Sequence, residues 1–204
     1  EGLKIAYGQY QKGERSENGK QQGKAFIVRK NVSDDLWENH LQGKGPALGI
    51  IPIREDNTCR WGCIDIDSYN LDHSGLIQSI RNFNYPLIVC RSKSGGAHIF
   101  IFTKKFVSAS KMILKLKDIA KAFGFVKYDL RPQQTKLLND DDVGSWLNMP
   151  YFNGDETDRY AIYDGKALSL IHFIQWVDKF SVDSLDDLDL KFIKKLNKSN
   201  EILP

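Results

Sequence analysis

The sequence predicts an α+β fold, with helices covering one face of a largely antiparallel sheet. Three observations carry that reading. From residue 47 onward the segments run strand, strand, helix, hairpin, helix, strand. Each helical segment has a single apolar stripe, so each has one face to bury against a sheet. Two of the strands, residues 87–90 and 97–102, are continuously apolar and are joined by a short Gly-rich turn. Such runs belong in the middle of a sheet covered on both faces.

The elements follow in order. Residues 1–24 are polar and rich in Gly, Lys and Gln, and read as an extended arm and loop in which only Leu3, Ile5 and Tyr7 are strand-like. This segment and its neighbour are locally basic (Lys4, Lys12, Arg15, Lys20, Lys24, Arg29, Lys30), the pattern of a solvated loop or of a polyanion contact. Residues 25–28 form a short strand. Ser33 caps a helix to about Leu41, with Asp34 and Asp35 in its first turn. Residues 47–53 and 60–67 are strands around a hairpin-type loop at 54–58. Leu76, Ile77, Ile80 and Phe83 fall at helical spacing, so 72–84 is an amphipathic helix ended by Pro86. Ser108 or Ser110 opens a second helix with the stripe Met112, Leu116, Ile119, Ala120 and Phe123, and Gly124 stops it. Its lysines, Lys111, Lys115, Lys117 and Lys121, read as a solvated face first and a nucleic-acid surface second. Residues 125–130 form a strand ending in Asp129, followed by a solvent-facing acidic loop at Asp140, Asp141 and Asp142. Residues 146–149 and 159–163 are short strands. Ser169 caps a helix striped by Leu170, Phe173, Ile174 and Val177. The tail continues at roughly helical spacing through Leu185, Leu188, Leu190, Phe192, Ile193 and Leu196.

Composition bounds the function. At 204 residues, with 41% hydrophobic and 11% aromatic residues, the chain can bury one sizeable core. A net charge of +3 is too mild to mark a nucleic-acid binder by itself. There is no apolar run of membrane-spanning length and no signal peptide. Three cysteines (Cys59, Cys63, Cys90) make no disulfide framework, which points to a reducing, cytoplasmic compartment. They also lack partners for a zinc site. A chain opening on Glu1 and closing on Pro204 reads as a segment of a longer protein.

Residues 60–102 hold the candidate chemistry. Side chains alternate along a strand, so Asp65 and Asp67 point to one side and Ile64 and Ile66 to the other. Two carboxylates so placed repel unless a cation lies between them, and oxygen ligands suit Mg²⁺ or Mn²⁺. The alternative is one Asp capping the next helix and one solvated. Asp129, at the end of a separate strand, is a third carboxylate. The turn at Ser94, Gly95 and Gly96 offers unhindered backbone N–H groups and a hydroxyl, with Arg91 and Lys93 beside it, which suits an anion. His98 opens the next strand on the face of Phe100 and Phe102. Metal and phosphate sites on one sheet imply a nucleoside triphosphate.

These residues resemble the three motifs of the archaeo-eukaryotic primase superfamily: Asp65 and Asp67; the run Ser94, Gly95, Gly96, Ala97, His98; and Asp129. The similarity is nearest to primase-polymerases of TOTE conflict systems and of CRISPR loci. It extends over roughly residues 45–165, including the strings at 47–52, 56–61, 131–134 and 144–150. The resemblance implies an RRM-like antiparallel catalytic sheet flanked by helices, with an N-terminal α/β unit beside it. The chain would divide into an N-terminal lobe (1–45), a catalytic lobe (46–165) and a C-terminal helical segment (166–204). It further implies that Asp65, Asp67 and Asp129 bind two Mg²⁺ or Mn²⁺ ions, and that Ser94 and His98, with Lys93, Arg91, Gly95 and Gly96 nearby, hold an incoming (d)NTP. Arg159 occupies a place where a related branch carries a triphosphate-binding Arg. Ser145 stands where many relatives carry Asn, and Asn148 lies three residues on; either is a candidate for nucleotide contact. The implied partners are DNA template and primer, nucleoside triphosphates, and a helicase or CRISPR adaptation proteins, around a monomeric core.

The resulting expectation is a DNA primase-polymerase performing template-directed nucleotidyl transfer. Two alternatives from other classes use the same residues: a non-catalytic single-stranded-DNA-binding or replication-initiation module, and a metal-dependent phosphohydrolase or nuclease.

Overall fold

The computed structural model describes residues 1–15, 21–68, 71–139 and 141–188. Lys20, Asp140 and the tail residues Leu190, Phe192, Ile193 and Leu196 lie outside them. Two four-stranded antiparallel sheets organise the chain. The first sheet contains β4 (Thr58–Ile66), β5 (Ile88–Arg91), β6 (Ala97–Ser108) and β7 (Asp129–Arg131), in the order β5-β6-β4-β7. With α2 (His73–Asn82) after β4 and α3 (Ala109–Ala122) after β6, this is a β-α-β-β-α-β unit. The second sheet contains β1 (Tyr7–Arg15), β2 (Gln21–Val28), β3 (Ala47–Ile50) and β8 (Leu147–Asn148), in the order β2-β1-β3-β8. Helix α1 (Asp34–Leu41) precedes β3, and a small β9–β10 hairpin (Ile162–Tyr163, Lys166–Ala167) precedes α4 (Leu170–Phe180).

Burial on both faces explains why β6 reads as a continuous apolar run. Ile64, Ile66, Ile99 and Ile101 pack against Leu76, Ile77 and Ile80 of α2 and Met112, Leu116 and Ile119 of α3. The alternate residues Trp61, Cys63 and Phe100 pack the other way, against Tyr7, Leu48, Leu147, Met149 and Tyr151. Both faces of the sheet are therefore covered. A bulge between Cys59 and Trp61 switches the face, which is why Cys59 joins the helix-side core although it lies two residues from Trp61.

The helices form where the periodicity puts them. Asp72 accepts from the Gly75 N–H at the start of α2, and Ser108 accepts from the Lys111 N–H at the start of α3. Gly124 takes φ +73° beyond the end of α3. Of the α3 lysines, Lys111 pairs with Asp186 at 2.6 Å and Lys115 donates to the Leu188 carbonyl, so these two tie down the segment after α4. Ser33 precedes α1 without a side-chain cap, and Ile174 on α4 stays about half exposed.

Five expectations need correction. The N-terminal arm and loop are a long β1–β2 hairpin; β2 is a sheet edge with residues 23–27 exposed, so it needs no apolar alternation. β3 and β4 do not form a hairpin, because the turn at 54–58 passes the chain from one sheet to the other. Strand β5 is an edge strand of its sheet, covered by a bridge from Cys90 to Ala161. The strand expected at 125–130 is the three-residue β7, which Asp129 begins. Finally, β3 and β8 pair into the sheet of β1 and β2, so the second sheet draws on residues beyond 45.

His40 ties α1 to this sheet. Its Nδ1 accepts from the Leu48 N–H at 3.0 Å and its Nε2 lies 2.8 Å from the Pro150 carbonyl. Burial is the main cause that pushes its pKa below 6.5. A group whose folded pKa is depressed stabilises the fold above the unfolded pKa, and that contribution is lost as pH falls through the folded value. Urea unfolding should accordingly give a lower midpoint as pH falls from about 6.5. His40→Leu should be less stable at neutral pH but lack this part of the pH slope.

Candidate functional site

The β4–β6 and β4–β7 registers build the site. Asp65 lies directly opposite His98 on β6 and directly opposite Asp129 on β7. Residues facing each other across antiparallel strands share a face, with Cβ atoms about 5 Å apart. Asp65, Asp67, Ser92, Lys93, Ser94 and His98 line one cleft of ≈ 410 Å³. Its other wall comes from the second sheet and its loops: Ala25, Ile27, Gly144, Ser145, Trp146, Leu147 and Asn148, with Arg131 between.

The Asp65 side chain is 14% exposed, and its Oδ1 approaches His98 Nε2 to 3.3 Å. This is a close approach rather than an aligned hydrogen bond, since the buried Oδ1 has no hydrogen-bond partner. His98 is 8% exposed and packs edge-on to Phe100, whose ring stacks on Phe102. Asp67 is exposed just beyond β4 and accepts from Ser94 Oγ at 3.4 Å. Ser94 Oγ also lies 3.2 Å from Ser92 Oγ.

The Gly-rich turn is closed from within. The Ser92 N–H donates to the Gly96 carbonyl, and the Gly95 N–H to the Ser92 carbonyl. Gly95 has φ +89°. Gly96 runs so close to β4 that an added Cβ would lie 2.0 Å from the Ile66 carbonyl oxygen. His73 Nε2, at the start of α2, lies 3.0 Å from the Gly96 carbonyl and braces the turn from behind.

The cations divide. Lys93 is in the cleft with its ammonium 3.2 Å from the centroid of the Tyr10 ring. Burial first, then the like charge of Arg159, pushes its pKa down, while Asp67 and Asp65 act the other way. Arg159 is 12% exposed, with Nε 4.0 Å from Asp158 Oδ1 and a buried Nη1 that has no partner. Burial lowers its pKa as well. Arg91 points away and donates to the Asp158 carbonyl at 3.0 Å.

Asp129 stands apart despite its register. Its side chain is 63% exposed, with Oδ2 3.9 Å from Arg131 Nη2. Among the described residues no three His, Cys, Asp or Glu side chains converge to hold a metal ion. A buried, partnerless carboxylate oxygen on Asp65 with a second carboxylate beside it does fit a divalent cation. The pair fits, then, and the third ligand is not gathered here.

The sequence reading gave no role to Arg131, Trp146 or Tyr10. Arg131 Nε donates to the Trp146 carbonyl at 3.0 Å and Nη1 to Leu130. Trp146 lies flat on two glycines of the second sheet: a Cβ on Gly8 or Gly49 would fall 2.0 or 2.1 Å from its ring. The glutamines Gln133 and Gln134 both bond Ser145, fixing the loop that carries Trp146. Asn148 reaches the cleft with a buried Oδ1 that has no partner.

Three comparisons bear on this geometry. The sequence model of the family described as TOTE conflict system, Archaeo-Eukaryotic Primase domain, matches residues 6–185. No curated protein matches the chain. Among solved structures, the AEP domain (PP-N190) of the cyanophage S-2L primase-polymerase (PrimPol) is similar at a TM-score of 0.44 and 10% identity, over 85% of this chain and 89% of that one.

Replacing Gly96 tests the brace behind the turn. Because the clash is with backbone, Gly96→Ala should cost roughly 1–3 kcal/mol. Its thermal midpoint should fall by about 2–4 °C per kcal/mol.

Proposed function

Since the chain belongs to the archaeo-eukaryotic primase domain family of TOTE conflict systems, and so has a primase-like nucleotidyltransferase role, we propose that it is a DNA primase-polymerase. It would join (d)NTPs to a primer 3′-OH or an initiating nucleotide on a DNA template. The observation that carries this reading is the meeting of Asp65, Asp67, Lys93, Ser94 and His98 in one cleft between two sheets.

Each group has a physical task. Asp65 and Asp67 would hold Mg²⁺ or Mn²⁺, and Asp129 is our candidate for a third ligand. Bound there, two ions would neutralise the attacking hydroxyl oxygen and the departing pyrophosphate. His98, Ser94 and Lys93 present an imidazole, a hydroxyl and an ammonium to the triphosphate. His98 also shields Asp65 from water, which strengthens every charge interaction there. Arg159 adds positive potential from behind Lys93. Asn148, with its unmatched carboxamide oxygen, is our choice over Ser145 for contact with the sugar or base, because Ser145 is already engaged by Gln133 and Gln134.

One observation favours a second reading. The outward Asp129 would also suit a module that binds single-stranded DNA without catalysis.

A labelled-primer assay with Mg²⁺ or Mn²⁺ separates the two. Wild type should extend the primer, and Asp65→Ala with Asp67→Ala should reduce extension to background. Extension that survives the double change sinks the proposal, and single-stranded DNA binding with no incorporation in any metal supports the second reading. His98→Ala should weaken triphosphate binding by roughly tenfold or more while leaving template affinity nearly unchanged; equal losses would make His98 merely structural.

A further inference from the structure

We infer that Tyr10, on the sheet facing the carboxylates, is a positioning residue of the nucleotide site: the face of its ring holds the Lys93 ammonium in the cleft. The inference rests on the reading of Lys93 as a triphosphate ligand.

The contact joins the two sheets. Lys93 belongs to the Gly-rich turn between β5 and β6, and Tyr10 lies in β1. Their separation of 3.2 Å from ammonium to ring centroid is well inside cation–π range. Tyr10 pairs with Ala25, so both side chains share the sheet face on which Ala25 and Ile27 line the cleft. The neighbouring strand makes room for the phenol. A Cβ at Gly23 would fall 2.2 Å from the Tyr10 hydroxyl oxygen and 2.3 Å from Cζ. A side chain at 23 would force the ring off that face.

The chemistry of the contact matters more than its strength. A carboxylate partner would hold Lys93 by neutralising it. A ring quadrupole holds the cation and leaves its charge whole. That charge is opposed by the like charge of Arg159. Arg159 has a buried Nη1 with no hydrogen-bond partner. The repulsion between the two cations is relieved by a polyanion that binds both. A triphosphate has the charge and reach to do so. Triphosphate affinity would then depend on an aromatic ring from the opposite sheet.

The test pairs Tyr10→Leu, which removes the ring, with Tyr10→Phe, which keeps it. Binding of a non-hydrolysable deoxynucleoside triphosphate in Mn²⁺ should weaken roughly 3- to 10-fold in Tyr10→Leu and stay within about 2-fold of wild type in Tyr10→Phe. The KM for nucleotide should rise with the Kd while kcat holds. In a Lys93→Met background Tyr10→Leu should add nothing. By NMR, the Lys93 ε-methylene protons should be shifted upfield by the ring in wild type and Tyr10→Phe, and not in Tyr10→Leu. Tyr10→Phe binding as weakly as Tyr10→Leu, a further loss in the Lys93→Met background, or an unshifted Lys93 in wild type would each overturn the positioning role. A folded wild type that shows the upfield Lys93 signal yet binds no triphosphate overturns the primase-polymerase reading, and this role with it.

Discussion

The pairing of β4 with β6 is the constraint on which the rest depends. One register sets Ile64 against Ile99 and Asp65 against His98. Because side chains alternate, the helix-side core and the charged cleft are two consequences of the same alignment. A slip of β4 by one residue would turn Asp65 into the space filled by Leu116 and Ile119, and Ile64 into the cleft. The cost of burying that carboxylate without a partner is several kcal/mol. The apolar half of the pattern therefore fixes the polar half. β7 is then placed by pairing to the other side of β4, which brings Asp129 across from Asp65 without any apolar contact of its own carboxylate.

Electrostatics sets what the cleft can accept. On one side are Asp65 and Asp67; on the other, Lys93 backed by Arg159. Neither set cancels the other. The Lys93 ammonium is held by a ring, and Asp65 keeps one oxygen buried and unmatched. A cleft holding separated surplus charges of both signs, partly shielded from water, best suits a ligand that also has both. A polyphosphate with a divalent cation is such a ligand, which is the physical ground for preferring nucleotidyl transfer to simple binding of a nucleic-acid backbone. A backbone alone would satisfy Lys93 and leave the two aspartates facing negative charge.

Much of the sheet of β4 and β6 was legible in the sequence because its rules are local. Alternation placed Asp65 and Asp67 on one side, the Gly-rich run announced the β5–β6 turn, and the 3.6-residue stripes gave α2 and α3. What escaped was long-range. Gly8, Gly49 and Trp146 lie far apart in the chain, yet the ring needs both glycines bare. The β1–β2 hairpin lacks clear apolar alternation, with β2 at the sheet edge, so the chain up to residue 24 read as arm and loop and Tyr10 went unassigned. Asp129 marks where local pattern runs out. Its spacing and resemblance marked it as a ligand, but a three-residue strand carries too little pattern to tell where its side chain turns. Asp129 reaches instead towards Arg131, two residues on and on the same face.

The second sheet is more than a support. Its strand β8 pairs Asn148 with Gly49 and Leu147 with Ile50, so the cleft wall is hydrogen-bonded into the same sheet that carries Tyr10. Leu147 and Met149 pack on Phe100 and Cys63, immediately behind His98 and Asp65. The two walls are thus joined by an apolar seam directly beneath the charges. Such a seam excludes water from the floor of the cleft, and it leaves the mouth, where Asp67 and Ser94 stand, open to exchange. Close packing below and solvent above lets a ligand displace water at the mouth without disturbing the register that aligns the carboxylates. Widening of this cleft would have to break the seam between Leu147 and Phe100, or bend the Ser145 loop on which Gln133 and Gln134 close. The loop is itself anchored, by Val143 in the core with Ile51 and Ile53 and by Trp146 against Gly8 and Gly49. The cleft therefore keeps its width, with the Asp65–His98 pair aligned beneath it.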